Sequence, residues 1–535
     1  MTTNCIGKSV MTDRNSVYKS KDVIEIFIAP EDVPILNPRE TYLKFIIALT
    51  GNCLHQPDPR AGAHSLIREV QIYDGQTSQL LEQLENYNNW TAQSFHYNRT
   101  PGLRNVRTLM EGVSEIEGTF LTSLYWTGNA TQPISYRPVE VCIPLHMSGI
   151  LNGDKSFPCI LTNGLKIRVT LENSARCLMA QTQVGVATQT AGAPNTVVAA
   201  TAPNATDLGK LVHFDIGPDG SFFQLKNAVA ANTANLAQIE LEDVVGNIVA
   251  PNTVATVDNC PFRVGQVLGY EDANNGLFTA GTITAITAPA GVVTIAFAPI
   301  NIGAVNGVAA AGAKVFVFGG NFTADYEVRN VDMVCSVVQA QQSDLNAMIQ
   351  KVNSGSVRLD YASFNIYRDN LNARVNRPNI DFNTTEHRAM SILSFPMGTV
   401  DNLLLSNFRP VRDDCLSYQY NIAQRLTPNR RVDVARVGGQ LNNHAWNAIH
   451  QHELEKALSR WKTAPRYLNW NKEAFGIGRQ LAKVGHSFNA NDNDVRLNIE
   501  YSTAQGANTN EKLLNTWVYH IRTLTISPGS IAVNF

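Results

Sequence analysis

His444, His450, His452 and Glu453 bring three imidazoles and a carboxylate into ten residues, the side-chain types of a divalent-cation site. A zinc-binding helix spaces its histidines four apart, as in H-E-x-x-H, because that puts both rings on one face. No such spacing occurs here, and on a helix residues 450 and 452 point about 200° apart. His450 instead shares a stripe with Trp446 and Leu454, which predicts a packing histidine. GILNGDKS (149–156) has the composition of a phosphate loop without its G-x4-G-K-S/T spacing. GIGRQLA (476–482) lacks the third glycine of a dinucleotide loop and follows no parallel strand of a βαβ unit. No G-x-S-x-G nucleophile elbow is present. The expectation is therefore a non-enzyme, with no catalytic, cofactor-binding or metal residues and no cofactor. Arg425, Arg430, Arg431 and Arg436 form an arginine group denser than the average for this chain, which suits an inter-subunit ion pair or an anionic interior as well as a solvated loop.

The elements that would carry these residues are mostly strands. Leu165, Ile167, Val169 and Leu171 alternate with Lys166, Arg168, Thr170 and Glu172, and Val495, Leu497, Ile499 and Tyr501 alternate with Arg496, Asn498 and Glu500. Val357, Leu359 and Tyr361 repeat the pattern beside Arg358 and Asp360. A period of two puts one face on a core and the other on solvent or a partner. Tyr42 to Leu49 is apolar apart from Lys44, the signature of a strand covered on both faces. Three segments read as helices instead. Leu80, Leu84 and Tyr87 suggest one over 78–90, and Leu345, Met348, Ile349 and Val352 suggest a second with Ser343 as N-cap and Gly355 as stop. Trp446, Ile449, Leu454, Ala457, Leu458 and Trp461 suggest the third, ahead of Pro465.

Composition narrows the function class. Of 535 residues 44% are apolar and only 16% charged, and 43 basic against 45 acidic side chains leave a net charge of −2. A typical soluble protein is roughly 25% charged, so this chain suits a surface largely hidden against neighbours and, equally, a large β-protein. There is no global basic field for sequence-independent nucleic-acid binding, and no sequence-specific binding is expected. The eight cysteines (5, 53, 142, 159, 177, 260, 335 and 415) include no CxxC pair and read as reduced thiols. MTTNCIGKSVMTDRNS at the start has no apolar h-region, so a non-secreted product is expected. Between 180 and 323 only 13 residues are charged, and Ala, Thr, Val, Asn and Gly dominate. Runs such as Val292–Ala298 and Lys314–Phe318 favour a folded β-rich insertion over a disordered linker.

Without that insertion the chain divides into two similar β units, and LKIRVTLE (165–172) and VRLNIEYS (495–502) echo each other late in each. NPRETYLKFIIALTG (37–51) and AGAHSLIREVQIYDGQTSQLLEQLENYNNW (61–90) resemble the first jelly roll of major capsid proteins from polinton-like viruses and virophages. So does VCIPLHMSGILNGDKSFPCILTNGLKIRVTLEN (141–173), and ADYEVRNVDMVCSVVQ (324–339) resembles the strand closing that barrel. The resemblance covers about a third of the chain.

It implies an all-β fold of two tandem eight-stranded jelly rolls, with a β-rich insertion in the first and a few short helices. The implied layout is an N-terminal arm (1–22), a first jelly roll (23–180 plus 324–340), the insertion as an outward tower (181–323), a connector helix (341–354) and a second jelly roll (355–535). The arm, with Lys8, Arg14, Lys19 and Lys21, is expected to lie inside the shell. The implied function is a major capsid protein forming pseudo-hexagonal homotrimers that tile an icosahedral virion around a DNA genome. Implied partners are other copies, penton proteins and minor capsid proteins. Two alternatives stay open at this level: a carbohydrate-binding adhesin or fibre, and a β-sandwich hydrolase.

Overall fold

The structure is a computed structural model that describes residues 5–12, 16–51, 55–97, 107–113, 125–127, 135–180, 324–373, 375–399, 406–411, 415–434, 448–458, 475–482, 486–501, 511–528 and 530–534. It also describes the strands at 185–189, 222–225, 237–244, 252–253, 267–271, 277–287, 294–299, 314–318, 436–437 and 440–441.

The first unit contains strands Cys5–Met11 (β1), Val17–Lys19 (β2), Val23–Ile28 (β3), Leu36–Gly51 (β4), His55–Pro57 (β5), Ile67–Asp74 (β6) and Leu80–Glu85 (β7). Helix Tyr87–Tyr97 (α1) follows, then Trp126–Thr127 (β8), Ser135–Tyr136 (β9), Val139–Ile143 (β10), Leu165–Leu171 (β11) and Leu178–Ala180 (β12). Gly185–Gln189, Phe222–Leu225, Ala237–Val244, Asn252–Thr253, Val267–Glu271, Leu277–Thr287, Thr294–Pro299 and Lys314–Phe318 (β13 to β20) make a separate eight-stranded sheet within the insertion. Ala324–Val338 (β21) returns to the first unit, and helix Gln342–Asn353 (α2) leads to the second. There the strands are Val357–Leu371 (β22), Asn379–Phe382 (β23), Ala389–Gly398 (β24), Cys415–Ile422 (β25), Arg425–Asp433 (β26), Arg436–Val437 (β27) and Gln440–Leu441 (β28). Helix Ala448–Leu458 (α3), Ile477–Gln480 (β29), Val495–Tyr501 (β30), Lys512–Ser527 (β31) and Ser530–Asn534 (β32) complete it.

Strand order identifies the fold. In the first unit one sheet runs β1–β21–β4–β10, with β2 also on β21, and the other runs β3–β11–β6–β7. In the second the sheets run β22–β31–β24–β29, with β32 on β31, and β23–β30–β25–β26. If β1 and β2 count as one interrupted strand, both units follow the order 1-8-3-6 over 2-7-4-5. That order is the jelly roll, so the chain is a double jelly roll.

Alternation builds each core. Ile26, Ile167 and Ile72 lie in register across three strands of the first barrel, and Ile24, Val169 and Val70 form the next rung. Ile380, Leu497 and Tyr420 make the corresponding rung in the second. The two strands that echo each other in sequence, β11 and β30, are therefore equivalent strands of the two barrels. Their outer faces match too: Arg168 pairs with Glu25 on β3 at 2.8 Å, and Arg496 pairs with Asp381 on β23 at 2.7 Å.

The barrels pack against one another. Trp90 of α1 stacks on Trp517 of β31 at 5.0 Å and lies 5.1 Å from Phe364 of β22, while Leu454, Ala457 and Leu458 of α3 join the same cluster. Both faces of β24 and β31 are thus covered, which explains their long buried runs. Tyr361 Oη and Arg522 Nη1 both donate to the Leu81 carbonyl, and Arg368 pairs with Glu85 at 2.7 Å.

Several expectations need correction. Residues 1–22, expected as an N-terminal arm, include β1 and β2, with Cys5–Met11 paired to Val338–Asp332 of β21; Lys8 makes an ion pair with Asp32. Arg14 lies outside the described residues. The helix expected over 78–90 is a strand followed by a helix, since Leu80 and Leu84 belong to β7 and Tyr87 begins α1. In α2, Gln341 occupies the N-cap without a side-chain cap bond, so Ser343 sits within the helix. In β4, Tyr42, Lys44 and Ile46 do not share the deep burial of Leu43, Phe45 and Ile47, which enter the core, so its outer face is only partly covered. Trp446 and Trp461 lie outside the described residues, and α3 spans 448–458.

Candidate functional site

The histidine group near residue 450 packs instead of converging. On α3 His450 is buried, its Nδ1 3.0 Å from the Tyr418 hydroxyl, while His452 is exposed on another face. Glu453 is buried in an ion pair with Arg479 and lies 3.6 Å from Lys456. His444 lies outside the described residues.

The two glycine-rich segments serve packing. In GILNGDKS the backbone N–H of Gly149 donates to Glu82 at 2.9 Å and that of Ile150 at 3.4 Å, and the preceding Ser148 hydroxyl donates at 2.5 Å. The loop thus cradles an internal carboxylate. Burial pushes the Glu82 carboxyl up from its usual range, and the Ser148 and Gly149 bonds pull against that shift. A Cβ at Gly149 would run into the Ala362 carbonyl of β22, so the glycine permits the barrels to approach. GIGRQLA supplies β29, and a Cβ on Gly478 would lie 2.8 Å from Leu393 and 3.0 Å from Ala457 and Leu454. The small residue lets α3 lie down on the sheet.

The arginine group lies on or beside β26, an edge strand of the second barrel. Arg425, Arg430 and Arg431 are exposed, and Arg431 reaches Glu500 at 2.5 Å, as does Arg377 at 3.0 Å. The structure thus gives Arg431 an intramolecular partner. Leu426 on this strand is 50% exposed, as is Phe27 on β3, an edge strand of the first barrel that also exposes Val23. Large apolar side chains on sheet edges are where another chain can add contact area.

One chemistry-bearing cluster has no linear motif. His64, Glu111 and His146 offer ligand-type atoms all within 4.8 Å of one another. His64, in the turn before β6, is fully buried; its Nε2 is 3.1 Å from Glu111 Oε2 and its Nδ1 is 2.9 Å from the Tyr87 hydroxyl. His146, just after β10, places Nε2 3.5 Å from Glu111 Oε1. Burial pushes the His64 pKa down, against the Glu111 hydrogen bond and charge, which raise it. Burial also opposes the Glu111 charge, but His146 and His64 outweigh it and keep that carboxyl well below the usual range. Sequence reasoning missed the set because its members come from three separate segments, brought together only by the barrel. His146 also lines a cleft of about 360 Å3 between the barrels, with Ser148, Asp154, Lys155, Tyr361 and Arg388 among its walls.

Compared with family models and with curated proteins, the sequence matches none. Among solved structures the chain is similar to the PBCV-1 VP54 structure fitted into a reconstruction of the virophage Sputnik, at 10% identity and TM-score 0.47, covering 100% of this chain and 98% of that one. It is similar to the Faustovirus major capsid protein at 7% identity and TM-score 0.47, covering 98% and 91%. It is also similar to the mavirus major capsid protein at 10% identity and TM-score 0.33, covering 99% and 90%. The fold itself is established by the strand order of the two barrels.

Proposed function

We propose that the chain is a major capsid protein that self-assembles into homotrimeric, pseudo-hexagonal capsomers of an icosahedral DNA-virus shell. The observation that carries the reading is the pair of jelly rolls with one strand order, locked side by side in a single chain. Two similar wedges per chain, repeated about a three-fold axis, give six similar wedges and a tile with near-hexagonal outline. The resemblance of residues 37–173 and 324–339 to such proteins points the same way. Exposed Phe27 and Leu426 on the sheet edges are suited to burial between chains.

On this reading the insertion is an outward tower, because it leaves the first barrel between its seventh and eighth strands and carries its own sheet. Penton and minor capsid proteins are the further partners, and the virion is the site of action. The protein's work is assembly, with no reaction to catalyse.

Light scattering on the purified chain tests the proposal. The expected particle has three times the 58.7 kDa chain mass, or forms larger shells. Deleting 185–320 should leave that trimer intact. A stable full-length monomer would refute the capsid reading, and loss of all soluble trimer on deletion would refute the tower.

A further inference from the structure

The assembly reading makes no use of His64, Glu111 and His146. We propose that His64 Nε2, His146 Nε2 and the Glu111 carboxylate bind one divalent transition-metal cation, with zinc the best match to two imidazoles and a carboxylate. The first argument is spacing. Tetrahedral zinc with bonds of about 2.0–2.1 Å sets its ligand atoms about 3.3–3.4 Å apart. His64 Nε2 lies 3.1 Å from Glu111 Oε2 and His146 Nε2 lies 3.5 Å from Glu111 Oε1, and one ligand atom of each residue lies within 4.8 Å of the others, so both carboxylate oxygens face the two imidazoles across gaps of about that size.

The second argument is an unsatisfied atom. His146 Nε2 is buried and makes no hydrogen bond among the described residues, and its 3.5 Å approach to Glu111 is long for one. A buried imidazole nitrogen held only by that long contact is poorly satisfied, and a cation between it and the carboxylate would use its lone pair. The third argument is outer-shell support. Zinc-bound histidines hold their other ring nitrogen in a hydrogen bond, and Tyr87 stands 2.9 Å from His64 Nδ1 to accept that proton. The inter-barrel cleft lined by His146 supplies an entry path.

The ion's role would be structural. It would tie the short helix at 107–111 to the 3-10 turn before β6 and to the loop after β10, three segments distant in sequence. Binding forms only the coordinate bonds to the cation, and any proton on the ligand nitrogens leaves to solvent.

The test uses the full chain without an affinity tag. After equilibration with zinc and removal of loosely held metal, elemental analysis should find one zinc per chain. Cobalt in its place should give the intense visible absorption of tetrahedral coordination. Tyr87→Phe should weaken zinc binding by about 10–100-fold. His146→Ala, altering a residue only partly buried, should lose the bound zinc while keeping particle size and circular dichroism. Glu111→Gln provides a second variant should that one fail to fold. Folded wild-type protein that takes up no zinc would overturn the proposal. Full occupancy in a folded His146→Ala or Glu111→Gln variant would overturn it too, because the ion would then lie elsewhere.

Discussion

Trp90→Ala should loosen the two barrels from one another. Trp90 is only 2% exposed, stacks on Trp517 at 5.0 Å, and meets Phe364 at 5.1 Å and Phe395 at 6.4 Å, all three from the second barrel. Truncation removes the transfer energy of a large aromatic and leaves a cavity between two rigid sheets, a combination that costs about 3–5 kcal/mol. Within that total the Trp90–Trp517 ring pair should account for about 0.5–1.5 kcal/mol. Trp90→Ala and Trp517→Ala should therefore be non-additive, the double variant losing less than the sum by about that amount. Denaturant unfolding at fixed protein concentration, followed by circular dichroism and by tyrosine fluorescence, supplies the free energies. The wild type should unfold in one transition, and Trp90→Ala should separate it into two or shift it by several kcal/mol. A change below about 0.5 kcal/mol, the level of an ordinary surface substitution, would refute the inter-barrel clamp.

Smaller perturbations probe local geometry in the second barrel. Gly478→Ala should cost about 1–3 kcal/mol through overpacking against Leu393, Leu454 and Ala457, read as a lower denaturant midpoint. The β25–β26 hairpin turns on Ala423 and Gln424 at φ 51° and 63°, a conformation that suits an Asn-Gly pair. Combining Ala423→Asn with Gln424→Gly should therefore stabilise the chain by about 1 kcal/mol, measured as a raised midpoint. His520 has its pKa pushed down to about 3 by burial and by Arg522, whose Nε donates to His520 Nε2 at 3.0 Å. Its unfolded form binds a proton near pH 6.5, so stability is full above that value and falls as pH drops toward 3. The loss is on the order of 4–5 kcal/mol from this group. His520→Gln should flatten that part of the pH–stability curve, and an unchanged slope would refute the assignment.

Much of the architecture is legible because alternation is a direct image of a sheet with one face on a core. The strands at 165–171 and 495–501 can be read from sequence, and so can their equivalence. The connector helix is legible because Leu345 and Val352 form a buried stripe on an otherwise polar segment. Other elements hide for identifiable reasons. Leu80 and Leu84 imitate a helical period because a strand of six residues runs almost directly into α1. The N-terminal strand reads as an arm because it is interrupted between β1 and β2, leaving only short alternating runs. His64, Glu111 and His146 are invisible because tertiary contact alone unites them, whereas the histidines at 450 and 452 stand out through proximity in sequence. Proximity along a helix places side chains at fixed angles, and those angles keep the latter two apart.

The central claim is that two like barrels in one chain make paired wedges of a trimeric tile. Negative-stain or cryo-electron microscopy of the purified, untagged chain tests it most directly. Three-fold particles with a pseudo-hexagonal outline and six barrel-sized densities, alone or tiled into shells, are expected. Isolated two-lobed particles with no three-fold class, from protein that is folded by circular dichroism, would contradict it.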